Sequence, residues 1–97
     1  MAMGIGEKVS FMLEKANKGT CSDEDMQTIV SFADEFSDDY IIGKVFGYSV
    51  GAYALATLKW INNRKTRAAF NELYEKLTES QKLEVDELIR RKLYLQY

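Results

Sequence analysis

The chain has no proline, no histidine and a single cysteine. Without proline, nothing forces a helix to break, and chain reversals must rely on glycine, asparagine and capping side chains. That composition fits helices joined by tight, capped turns. Without histidine, the commonest general base and the commonest metal ligand are missing. One thiol, Cys21, permits no internal disulfide and no cysteine-built zinc site, and it fits a reducing, cytoplasmic setting. Cys21 precedes Asp23, Glu24 and Asp25. Neighbouring carboxylates disfavour the thiolate, so Cys21 is not read as a nucleophile. No phosphate-binding or dinucleotide glycine motif is present. No stretch alternates polar and apolar residues between turn dipeptides, so no sheet is expected. The start, MAMGIGEKVSFML, has no long apolar run and does not read as a signal peptide. Catalytic residues, cofactors and metals are all expected to be absent, and the chain is read as a non-enzyme.

What the sequence does hold is enough for one small domain. Its 97 residues are 46% apolar and 29% charged, the proportions of a folded chain with one core. The most apolar stretch is Tyr40–Trp60, YIIGKVFGYSVGAYALATLKW, whose only charges are Lys44 and Lys59. It reads as a central helix over about 40–61, apolar on nearly every face and surrounded by the other elements. Gly43, Gly47 and Gly51 recur every fourth residue and would line a groove for close helix packing, inside the monomer or between two copies in a homodimer. The length also suits a membrane span. Lys44 lies inside it, however, and Gly, Ser and Thr dilute its hydropathy.

The flanking segments carry helical periodicity and end signals. Ile5, Val9, Met12, Leu13 and Ala16 share a face, and Gly19 stops the helix after Lys18. Ser22 with Asp23–Asp25 opens a second helix, expected to run to about Phe36 through Met26, Ile29, Val30 and Ala33. Ser37-Asp38-Asp39 repeats that start signal ahead of the central helix. Asn62-Asn63 interrupts the chain, and Asn63 or Thr66 would cap a fourth helix bearing Phe70, Leu73, Tyr74 and Leu77. Thr78-Glu79-Ser80-Gln81 matches the capping box and opens a fifth, with Val85, Leu88, Ile89 and Leu93 inward. The expected fold is an all-α bundle of about five helices.

Charge is uneven along this chain of net −2. Residues 1–43 hold three bases against nine acids, a net −6, whereas residues 44–97 are net +4. Between Lys18 and Lys44 there are seven acids and no base. Many of them sit at helix starts, where the dipole favours them, and a solvated face accounts for much of the rest. The sharper reading is an acidic docking surface of Asp23, Glu24, Asp34, Glu35, Asp38 and Asp39, with Phe32 or Tyr40 as apolar anchor. In size, charge and expected fold the chain is similar to immunity proteins that neutralise bacterial nuclease toxins. That resemblance implies an acidic, antitoxin-like cytoplasmic inhibitor covering a basic site, with no motif to carry residues across. A second reading is a regulator binding nucleic acid through Lys59, Arg64, Lys65 and Arg67, with Arg90, Arg91 and Lys92 nearby. The negative charge opposes it. A third is a self-associating or membrane-associated helix protein.

Overall fold

Local end signals decide where the helices begin and stop. In the computed structural model, which describes residues 3–96, α1 covers Ile5–Lys18 and buries Val9, Met12, Leu13 and Ala16. The Gly4 N–H donates to Glu7 Oε1 at its start. At its end Gly19 adopts φ 74° and gives its N–H to the Lys15 and Ala16 carbonyls. Helix α2 is Asp23–Ser31, opened by the reciprocal pair of Ser22 Oγ with the Asp25 N–H and the Asp25 carboxylate with the Ser22 N–H.

Helix α3 spans Val50–Ile61, and Val50 to Leu58 are all buried. It touches α1, α2, α4 and α5. Asn62 takes a left-handed conformation at φ 56° to end it, and Asn63 caps the next helix, exchanging hydrogen bonds with Thr66. The chain therefore turns at Asn62-Asn63. Helix α4 is Arg64–Glu75 and α5 is Glu79–Arg91, the latter opened by the Thr78/Gln81 box. A 3₁₀ turn at Leu93–Gln96 folds back on α1, where Asn17 Nδ2 donates to the Tyr94 carbonyl. The Trp60 indole N–H donates to the Ile89 carbonyl and its ring lies 4.9 Å from Tyr94, tying α3 to the C-terminal segment. Among the described residues the molecule is thus an all-α bundle of five helices, four of them packed around the apolar α3. Among the described residues no helix is long and apolar enough to cross a membrane.

The central helix is shorter than expected, and this changes the surface. Residues 40–49 form a turn and a small hairpin, β1 Lys44–Val45 paired antiparallel with β2 Tyr48–Ser49. Three glycines within nine residues each cost a helix about 1 kcal/mol relative to alanine. The glycine stripe does not exist as a helix groove. Gly43 lies in the loop, where a Cβ would run into the Ser37 side chain. Gly47 sits in the hairpin turn at φ 87°, and only Gly51 is helical. A Cβ on Gly51 would stand 2.6 Å from the Phe36 ring, so its close contact lies inside the monomer. Helix α2 is shorter too. Phe32 and Ala33 turn into the core after Ser31, and the Glu35 carbonyl accepts from the Gly51 N–H at 2.7 Å.

Candidate interaction surface

The segment between α2 and α3 builds the least ordinary surface of the molecule. Asp39 closes a single turn: its carbonyl accepts from the Gly43 N–H, and its Oδ1 accepts from the Ile41 and Ile42 N–H groups at 2.9 and 3.2 Å. With its backbone satisfied locally, this turn points Tyr40 (71% exposed), Ile41 (89%) and Ile42 (72%) outward. Beyond β1 the hairpin turns through Phe46 and Gly47, both at positive φ (55° and 87°), as a type I′ turn requires. Phe46 occupies the left-handed region that asparagine or glycine normally takes, and its ring is 78% exposed.

Buried polar contacts hold this loop in place. Ser49 is fully buried; its Oγ accepts from the Ser37 N–H at 3.0 Å and donates to the Ser37 carbonyl at 3.1 Å. Its N–H donates to Glu84 Oε2 on α5 at 2.6 Å. The Tyr53 hydroxyl donates to the Val45 carbonyl at 2.8 Å, and burial pushes that phenol's pKa upward. Tyr48 donates to Glu87 Oε1 and accepts from Arg91 Nη1, at 3.0 and 3.2 Å. Lys44 stands 3.8 Å from Glu84 Oε1 and covers the Tyr40 ring. A scaffold from α3 and α5 thus presents the apolar side chains on a fixed backbone, which lowers the ordering cost of any contact they make.

The acids expected to form one docking face divide into two groups. Asp23 pairs with Lys65 at 2.9 Å and Glu35 with Lys8 at 2.7 Å. Asp25 pairs with Lys15 at 3.2 Å; burial raises its pKa, but hydrogen bonds from Lys15 and Ser22 outweigh that and hold it below the ordinary value. Three of the N-terminal acids are therefore paired inside the molecule, and Lys65 is the base among these that comes from the positively charged half. Glu24, Asp34, Asp38 and Asp39 are exposed, and the last two lead directly into the apolar turn. Phe32 is not an anchor. It is 8% exposed, packed in the core under Lys8, because α2 ends before it.

On the opposite reading, Arg64 and Arg67 are exposed on α4, while Lys65 is engaged by Asp23 and Lys59 lies over the Phe70 ring. Burial, with Asp25 beside it, raises the Cys21 thiol, against nucleophilic use. Sequence reasoning missed Ile41, Ile42 and Phe46 as surface residues because their apolarity was assigned to a buried helix. Comparison with protein families, curated proteins and solved structures finds no match to this chain.

Proposed function

We propose that the chain is a non-enzymatic protein-binding module: an acidic, immunity- or antitoxin-like inhibitor that seats its Tyr40–Phe46 loop in an apolar recess of a basic partner site. The observation that carries this is the cluster of four large apolar side chains, 71–89% exposed, on one braced loop. Scattered surface hydrophobics are ordinary, whereas a contiguous patch with a polar rim marks an interaction site. Asp38 and Asp39 supply that rim on the N-terminal side, with the exposed Asp34 adding to the acidic field. Exposed acids of one sign steer a basic partner and raise its association rate, while the desolvated apolar centre sets how long it stays.

Affinity capture from a lysate of the encoding cell, with parent and Ile41→Asp chains side by side, is the test. The parent should retain a basic protein that Ile41→Asp loses. With that partner purified, Asp34→Lys combined with Asp38→Lys should slow association about tenfold at low salt and flatten its salt dependence. Capture unaffected by Ile41→Asp but abolished by Arg64→Glu with Arg67→Glu would move the functional surface to α4 and reject the loop.

A further inference from the structure

We infer that the free protein covers its Tyr40–Phe46 loop with a second copy of itself, so that the partner site proposed above, on whose reading this rests, is held closed by dimerisation. Three observations on the loop and its surroundings point to a copy rather than to another occupant.

The first is area. Side chains of this size present roughly 200 Å² apiece. At 71–89% exposure, Tyr40, Ile41, Ile42 and Phe46 offer on the order of 600 Å² per copy, and two copies together reach the low end of a stable interface, about 1,200 Å².

The second is shape. Bordered by the projecting Phe46 lies a recess of about 480 Å³ between α1 and the hairpin, with Val9, Leu13, Val45 and Leu93 among its walls. Gly6 borders it without a side chain, and a Cβ there would meet nothing within 4 Å. One patch therefore carries both a projecting ring and a cavity able to take one. That is the requirement for an isologous two-fold contact, in which each copy fills the other.

The third is charge. Asp38 sits at one end of the patch, beside Ser80 and Glu84 at the start of α5. Arg91 sits at the other end, bordering the recess. From Ser80 to Arg91 the helix rises about 16 Å. With a two-fold axis running between Phe46 and the recess, the two copies would lie antiparallel along α5, turning the Asp38 end of one toward the Arg91 end of the other. Arg91 gives one N–H to Tyr48, whose hydroxyl also serves Glu87, and the rest of the guanidinium remains for an acid.

Sedimentation and light scattering across a wide concentration series test this, with circular dichroism to confirm folding of each variant. The parent should sediment as a dimer that dissociates on dilution, and Ile41→Asp as a monomer. Gly6→Leu, filling the recess from an open helix position, should weaken the dimer without loss of fold. Asp38→Lys and Arg91→Glu should each weaken it about tenfold, and the double variant should recover most of that loss. A parent that is monomeric throughout overturns the inference, as does a dimer indifferent to Ile41→Asp or a double variant no better than the singles. A monomeric parent whose partner capture still depends on Ile41 rejects only the dimer. A loop-dependent dimer whose partner capture ignores Ile41→Asp supports the dimer and rejects the partner site.

Discussion

Phe46→Asn separates the loop's contribution to folding from its contribution to binding. Phe46 holds φ 55° at the first central position of a turn whose second is Gly47 at φ 87°. An L-residue without a short polar side chain pays about 1–2 kcal/mol in that region, and asparagine recovers most of it. Against this stands the contact the ring makes. At 78% exposure only about a fifth of the residue is covered. That is roughly 40 Å², or about 1 kcal/mol at 25 cal/mol per Å². The two effects nearly offset, leaving the variant between unchanged and about 1 kcal/mol more stable. Urea unfolding at concentrations low enough to keep the chain monomeric should show an equal or higher midpoint with an unchanged slope. The same variant should lose self-association and partner capture. On the proposed reading, the ring that strains its own turn while contributing little to the core acts through what it touches outside the molecule. A fall of more than about 1 kcal/mol, or roughly 4–8 °C in Tm for a domain of this size, would mean that the ring belongs to the fold and would refute this reasoning.

Gly51→Leu should destabilise by about 1–3 kcal/mol or more, because its Cβ would stand 2.6 Å from the Phe36 ring and 3.0 Å from the Ala33 carbonyl oxygen. Gly47→Ala would bring its Cβ to an ordinary 3.8 Å from the Tyr40 ring and should cost only the backbone strain of φ 87°, about 1–2 kcal/mol; equal effects of the two on chemical denaturation would contradict the distinction. The Thr57 hydroxyl is buried without a partner, so Thr57→Val should be neutral or stabilising by up to about 1 kcal/mol in the same assay. Lys18 holds the Glu14 carboxyl below its ordinary value, and the Asp25 carboxyl, although burial raises it, is held below its own by Lys15 and Ser22. A depressed folded pKa gives stability that is complete above the unfolded values and lost as pH falls through the folded ones. Stability should therefore drop below about pH 4, and Asp25→Asn should flatten that drop in urea midpoints measured across the acid range.

The bundle was legible in the sequence wherever a helix end carries its own chemistry. Ser22 with Asp25, Thr78 with Gln81, and Gly19 after Lys18 mark boundaries that the structure keeps. At Asn62-Asn63 both candidate capping residues act, one on each end of the same box. Tyr40–Ser49 was not legible. Its residues are as apolar as the buried helix that follows, and hydropathy alone does not tell a displayed loop from a core segment. The signal was in the backbone requirement. Val45-Phe46-Gly47-Tyr48 places glycine at the second central position of a two-residue hairpin, between a β-branched residue and an aromatic. Phenylalanine in place of asparagine hid the turn. Phe32 was misread for a related reason: its side chain follows the helix end at Ser31, so extending the helical wheel to it gave the wrong direction.

The contact between the Ser49 N–H and Glu84 also orders events during synthesis. The loop leaves the ribosome well before the side chain that fastens it, because Glu84 lies far downstream on α5. At about 5–20 residues per second, roughly 2–8 s separate the synthesis of Phe46 from that of Glu84. Throughout that interval Tyr40, Ile41, Ile42 and Phe46 are on a chain whose clasp does not yet exist. The clasp on this loop can close only once α5 is made, so slower translation lengthens the interval in which the loop stands without it.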